Sequence, residues 1–319
     1  MAPVDELPVE VSATIKELQG LDDKFLEMRQ AMDKEMLVIQ KQFQEKKDAL
    51  CAKRKEKLVE KEAGDTETAG TPALPGFWLT AMKHSGDDFM GEYLISIEDH
   101  DEEVLWHLED IEWVYLDEDR EKGGKLTFVF NENPFFENKK ITIVFHTEVT
   151  NKYITEPEVM KMEVETPIQW TEGQNVMVTV EKKKKSGGGK KKANQPKTKE
   201  VPRPSFFRFF LNLDPANEES VKSPEVQFLI KQALMQGEEE EEDEDEDEED
   251  EDVAEGVLGS LYGLALSIRD DLIARAVRYY TGEACEGEED SDDDEDDDED
   301  DEDEDDEDED EDESSDNEK

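Results

Sequence analysis

Asp110 to Val149 reads DIEWVYLDEDREKGGKLTFVFNENPFFENKKITIVFHTEV, and its period of two decides the fold class. Ile111, Trp113 and Tyr115 alternate with Glu112, Val114 and Leu116, the pattern of a strand with one face buried. Asp119 to Gly124 is a turn, and alternation resumes from Lys125 to Phe130. The segment NENPFFENK, Asn131 to Lys139, turns the chain again, with Pro134 ending the strand, and Ile141 to Val149 forms a third strand. A fourth strand is expected at Asn175 to Val180, after a turn at Thr171 to Gln174. Short turns between successive strands make an antiparallel meander. Helical patterns precede and follow it, so the class is α+β, a four-stranded antiparallel sheet with flanking helices.

Upstream, Thr14 and Glu17 have the spacing of a capping box, and only Gly20 interrupts the helical pattern before Gly64. Phe25, Met28, Met32, Met36, Ile39 and Phe43 step by three and four residues along one face, and Leu50 and Leu58 prolong the stripe. A helix of roughly 45 residues spans about 70 Å, more than one medium domain covers. Helices of globular domains average about 11 to 12 residues, which favours a second copy of the chain over the helix's own domain as the partner of the stripe. Those six residues are therefore the expected dimerisation contacts. The layout is an arm at 1–11, a long helix at 12–63, an α+β domain at 64–285 and an acidic disordered tail at 286–319. Within the domain, Leu74 to His84 is a compact apolar segment, and Asp99 to Leu108 is a short helix with acids in its first turn.

Farther along, Lys182 to Lys199 is lysine-rich with three glycines, and VPRPSFFRFF, Val201 to Phe210, restores apolar character. Ser223 and Pro224 start a helix that ends before Gly237. Glu238 to Asp252 is an unbroken run of acids, expected to be a solvated internal loop because an amphipathic helix follows it at Val257 to Tyr280, with Leu261, Leu264, Ile268, Leu272, Ile273 and Ala276 at helical spacing.

The chain carries 92 Asp and Glu against 37 Lys and Arg, a formal net charge of −55. The two acid blocks hold 43 of those acids, so the remainder is only moderately acidic. Such a balance repels phosphate, so no direct binding of DNA is expected, and it calls for a partner rich in Lys and Arg. The N-terminus has neither a basic start nor an apolar stretch, and no run is long enough to span a membrane. Cys51 and Cys285 share no metal-type spacing, which fits a reducing compartment. His84, His100, His107 and His146 also lack ligand spacing, and no nucleophile motif occurs. The stretch SGGGKKK, Ser186 to Lys192, lacks the earlier glycine and the closing Ser or Thr of a phosphate loop. The reading is of a non-enzymatic protein without a cofactor.

Six segments, in order, resemble the nucleosome assembly protein family: LPGFWLTAM (Leu74 to Met82), DEEVLWHLEDIEW (Asp101 to Trp113), NENPFFENK, IQWTEGQNV (Ile168 to Val176), SFFRFF (Ser205 to Phe210) and RAVRYYTGEA (Arg275 to Ala284). The ending YYTGEA is more similar to the nucleosome assembly branch than to the related SET branch. One departure stands out: Lys182 to Lys199 replaces the family's lysine-rich β-hairpin with a looser, glycine-bearing stretch, so a regular hairpin is not expected there. The resemblance implies a dimeric histone chaperone that shields core histones and promotes nucleosome assembly and disassembly. The alternative is a SET-like acidic regulator or carrier of other basic proteins. Under the first reading, acids of the folded domain (Glu109, Asp110, Glu112, Asp117, Glu118, Asp119) orient the histone. Those of the runs, represented by Glu238, Asp243, Asp252, Glu288 and Asp292, attract it. Lys182, Lys183, Lys184, Lys185, Lys190, Lys191 and Lys192 suit a nuclear localisation signal read by an importin-type receptor, which implies shuttling between cytoplasm and nucleus. Ser291, Ser314 and Ser315 precede acids and suit an acid-directed kinase.

Overall fold

Helix α1 is continuous from Val9 to Val59, about 76 Å at ~1.5 Å per residue. The computed structural model describes residues 9–60, 70–85, 94–151, 153, 156–182, 198–236 and 246–285. Thr14 lies inside α1 rather than at its start. Only the C-terminal part of α1 closes on the domain core: Leu58 is 5% exposed, and its carbonyl accepts the Ala73 N–H at 3.0 Å. Leu58 thus belongs to the domain core and not to the outward stripe.

Two short helices follow, α2 (Phe77–His84) and α3 (Asp99–Leu105). The sheet consists of β1 (Leu108–Tyr115), β2 (Gly123–Phe130), β3 (Lys140–Glu148) and β4 (Glu158–Val164), antiparallel in that order. The first three strands are those the alternation predicts. The fourth is not: the stretch expected to complete the sheet instead supplies β5 (Val178–Lys182), which pairs with β6 (Thr198–Pro202) in a separate hairpin, Val178 opposite Pro202 and Lys182 opposite Thr198. A regular hairpin stem therefore forms where none was expected, because the β-branched residues of Val178 to Val180 and Thr198 to Val201 favour pairing. The glycines fall between the paired ends. Strand β4 escapes a hydrophobicity reading because it is an edge strand, with Met162 its one buried residue.

One face of the sheet builds the core. Phe128, Ile141, Ile143, Phe145 and Met162 are fully buried, as are Phe206, Phe207 and Phe209 of the 3-10 turn Phe206–Phe209 packed against them. Phe128 meets Phe206 edge-on at 5.7 Å, and Phe136 meets Trp170 at 5.5 Å. Arg208, between these phenylalanines, donates to the carbonyls of Arg203 (2.8 Å) and Met177 (2.9 Å) and lies 3.7 Å over the Phe228 ring. Gly123, at φ +95°, is required where β2 starts: a side chain there would meet the Phe145 carbonyl.

The helices beneath are α4 (Glu218–Val221), α5 (Pro224–Gln236), α6 (Glu246–Ser267) and α7 (Ile273–Tyr280). Ser223 Oγ accepts the Val226 N–H at 3.4 Å, the capping role expected of it. Helix α6 takes in Glu246 to Asp252, so this part of the acid run, expected as a loop, is helical, while 237–245 lie outside the described residues; glutamates are good helix formers, and acids suit the positive end of a helix. Between α6 and α7 the chain makes a π-helical turn, Ile268–Leu272. Such a turn disturbs the regular helix ladder. Here α1 supplies donors: Lys47 Nζ bonds the Arg269 carbonyl at 3.3 Å, and Arg54 Nη1 bonds that of Ile273 at 2.6 Å.

Candidate functional site

Two surfaces distinguish this fold: the outward face of α1 and the distribution of unpaired acids. On α1, Phe25, Met28, Met32, Met36, Ile39 and Phe43 are 47–64% exposed. The residues of α1 that turn toward the domain are others, at Leu37, Lys41, Gln44, Lys47, Cys51, Arg54 and Leu58. That second row is offset by one residue, about 100° around the helix, so the domain does not cover the apolar stripe. Helix α1 also carries ten acids against eleven Lys and Arg, nearly neutral within a strongly acidic chain.

The outer face of the sheet is likewise balanced. Lys140 bonds Glu112 at 3.4 Å, Lys125 bonds Glu165 at 2.7 Å, Lys161 bonds Glu163 at 2.6 Å, and the Thr127 and Thr142 hydroxyls meet at 3.0 Å. At the β1 edge, Lys55 of α1 lies 3.0 Å from both Asp110 and Glu112. Burial pushes the Asp110 carboxyl above its ordinary range, more than the adjacent Lys55 draws it down. Glu112 is less enclosed; burial raises it, but Lys55 and Lys140 outweigh that and hold it below its ordinary value.

The acids singled out from sequence therefore divide. Asp110 is buried and, with Glu112, bound to Lys55, so both are committed to holding α1 on the sheet. Glu109 is half-buried, and its backbone carbonyl accepts the Trp78 indole N–H at 2.9 Å. Asp117 Oδ1 accepts the Lys122 N–H at 3.1 Å and shapes the β1–β2 turn. Glu118 and Asp119 in that turn, and Asp252 on α6, are exposed and make no ion pair among the described residues. Arg120, next after Asp119 and at φ +61°, folds back over the Tyr115 ring at 4.3 Å and donates to the Gln40 carbonyl. Glu238, Asp243, Glu288, Asp292, Lys183 to Lys185, Lys190 to Lys192, Ser291, Ser314 and Ser315 lie outside the described residues; Lys182 ends β5.

Sequence reading missed Lys55 and Arg269. Arg269 bonds Asp270 at 2.7 and 2.6 Å and lies over Trp113 and Tyr115 at 5.4 and 5.8 Å, where burial works against its charge but Asp270 and the tyrosines keep its pKa raised. Nothing local in the sequence marks either residue, because each acts across long separations. His84 Nδ1 meets the Tyr279 carbonyl at 2.9 Å, His100 Nε2 the Pro204 carbonyl at 3.0 Å, and His146 Nε2 lies 3.3 Å from Glu163. His107 packs edge-on against Phe135, and burial lowers its pKa. Among the described residues no three His, Cys, Asp or Glu side chains are grouped to hold a metal, Cys51 and Cys285 are free thiols, and no helix is long and apolar enough to cross a membrane. Chemically, the arrangement offers an apolar, charge-neutral helix face and a spread of unpaired carboxylates.

The family model for "Nucleosome assembly protein (NAP)" matches residues 13–283. A protein of Oryza sativa subsp. japonica, "Nucleosome assembly protein 1;1", is 34% identical over 294 residues, covering 86% of this chain and 65% of that one. "Nucleosome assembly protein 1;3" of Arabidopsis thaliana is 33% identical over 228 residues, 71% of this chain and 50% of its own length. The chain thus spans between half and about two thirds of these relatives. Among solved structures, a malaria parasite nucleosome assembly protein aligns with a TM-score of 0.55 at 26% identity, covering 87% of this chain and 98% of its own.

Proposed function

The chain belongs to the nucleosome assembly protein family, and from that membership we propose that it is a non-enzymatic chaperone of core histones, shielding their charge during transport and nucleosome assembly or disassembly. The observation that carries the reading is the segregation of charge: ion pairs balance the outer face of the sheet, α1 is neutral, and Glu118, Asp119, Asp252 and the two acid runs are left for a basic partner. A carboxylate surface of this kind attracts Lys- and Arg-rich proteins quickly and with low specificity. It competes with DNA for the same basic surface and yields it when the more densely charged duplex arrives. The neutral, exposed stripe of α1 fits a second copy of the chain, since two such faces approach without mutual repulsion.

The deciding experiment is a pull-down of purified core histones against other basic proteins of similar charge at ~0.3 M salt, where screening removes contacts that rest on the acid runs alone. Selective retention of core histones is the expected result. Equal capture of every basic protein would favour a general acidic carrier or regulator instead. The reading also includes shuttling through an importin-type receptor: changing Lys182 to Lys185 and Lys190 to Lys192 to Ala should lower nuclear accumulation of a tagged protein while leaving the fold intact. A mutant that enters nuclei as well as its parent would place the signal elsewhere.

A further inference from the structure

Between the β4 edge of the sheet and the start of α5 lies a cleft of about 770 Å³. Its floor is apolar: Ile168, Met177 and Phe210 are partly buried and pack on the core. Its rim carries Asp214, Glu219 and Glu225, none with an ion pair among the described residues. Lys161, the lone base of the lining, is already bonded to Glu163 at 2.6 Å. The walls are fixed by backbone bonds. Met162 and Leu213 exchange hydrogen bonds of 2.8 and 3.0 Å, and the Val164 N–H donates to Asn212 Oδ1 at 2.7 Å. The rim turns are pinned as well, by Asp214 N–H to Ser220 Oγ and Glu219 N–H to Asn217 Oδ1, both 3.0 Å.

We propose that this cleft docks an extended segment of the basic cargo, one apolar side chain on the floor and neighbouring Lys or Arg side chains on the rim acids. The proposal rests on the chaperone reading for its cargo but adds a defined seat to the diffuse attraction of the acid runs. Charge decides the class of occupant: three carboxylates without ion pairs repel an anion, and among the described residues no three acids are grouped closely enough to hold a metal ion. A folded basic surface would reach the rim and leave the floor empty. A chain lying along the cleft satisfies both, because burial of an apolar side chain and charge complementarity act together.

The test uses the full chain at ~0.3 M salt, where the acid runs are largely screened, and a labelled 12-residue probe of alternating Arg and Leu, with a second probe in which Ser replaces Leu. Fluorescence anisotropy compares the parent with Asp214→Asn/Glu219→Gln/Glu225→Gln and with an equal neutralisation of exposed acids elsewhere, Glu103→Gln/Glu132→Gln/Glu148→Gln. The cleft triple should weaken the Leu probe on the order of tenfold and the control triple less than about twofold, and the Ser probe should bind the parent weakly and ignore the cleft triple. Equal effects of both triples, or equal binding of the two probes, overturns the proposal. A photo-reactive leucine in the probe gives a second readout on unaltered protein: crosslinks at Ile168, Met177 or Phe210 support the seat, and crosslinks confined to other segments refute it. Core-histone binding measured alongside separates the two readings. Parent protein that takes the probe in the cleft but no core histone sinks the chaperone reading alone; parent that binds histones while the cleft triple alters neither ligand sinks the cleft alone.

Discussion

Asp101 and Ser205, 104 residues apart, share a buried hydrogen bond of 2.6 Å in which the serine hydroxyl donates to the carboxylate. The other carboxylate oxygen accepts the Phe206 N–H at 2.7 Å and the Glu98 N–H at 3.0 Å. One fully buried acid therefore fixes the start of α3 and delivers the phenylalanine turn to the sheet. Burial alone drives this carboxyl upward, and the three donors compensate in part.

Replacing Asp101 by Ala should strand those donors and cost about 2–4 kcal/mol, whereas Ser205→Ala, which removes one donor and leaves two, should cost about 1–2 kcal/mol. For a domain near 200 residues each kcal/mol is worth about 2–4 °C, so calorimetry should show Asp101→Ala melting lower than Ser205→Ala. Equal melting temperatures would mean that the carboxylate is not the hub of this junction.

The dimer prediction concerns Met32 and Ile39. Changing both to Glu puts charges into a face that is solvent-exposed in one chain and that pairing would bury, each costing several kcal/mol in the dimer and little in the monomer. Sedimentation should therefore report a monomer with unchanged helix content. A double mutant that still sediments as a dimer would move the contact off this stripe.

How much of this was legible in the sequence depended on whether the signal was local. The first three strands declared themselves because Ile111, Trp113, Leu126, Phe128, Ile143 and Phe145 recur at every second position, and α1 did so through its stripe. Strand β4 did not: Met160, Met162 and Val164 alternate with Lys161 and Glu163, but the period lasts only five residues and, at the sheet edge, fully buries Met162 alone. The acid positions were plain, but their state was not: Asp110 and Glu118 read alike, and only the arrival of Lys55 from a distant helix shows that one is committed and the other unpaired. The rim acids of the cleft had a local signal that went unused, since Asn217-Glu218-Glu219 and Ser223-Pro224-Glu225 are capping sequences that place acids in a first helical turn.

Lys55 gives a prediction in pH. Burial disfavours its charge, but Asp110 and Glu112 outweigh that and raise its pKa above 10.5. A raised lysine contributes stability that is fully present below the unfolded value and lost as pH rises through the folded one. Lys55→Met should therefore lower the unfolding free energy by about 1–2 kcal/mol, a figure already reduced for the partly solvated ammonium. The gap from the parent should be constant between about pH 6 and 9 and close above about 10.5. On the acid side Glu112, held below its ordinary value, loses its contribution as pH falls, while Asp110, held above, opposes that trend. The alkaline limb is thus the clean one, and a gap that persists there would assign the loss to packing of the lysine stem.

The last prediction divides the work between domain and tail. Deleting Glu286 to Lys319 removes 28 acids and one Lys, close to half of the net charge of −55, yet touches none of the elements from α1 to α7. Dimerisation and much of the histone affinity should survive at low salt, because Glu118, Asp119, Asp252 and the run from Glu238 remain. What should fall is the association rate, its steep dependence on ionic strength and the capacity to prevent histone–DNA precipitation, since long-range attraction scales with total charge whereas short-range contacts do not. Stopped-flow binding of a labelled histone dimer across a salt series distinguishes these effects: the truncated protein should show a flatter salt dependence converging on the parent's rate at high salt. If truncation abolishes binding even at ~50 mM salt, where the Debye length exceeds about 10 Å, recognition resides in the tail and the folded domain serves only to pair two tails.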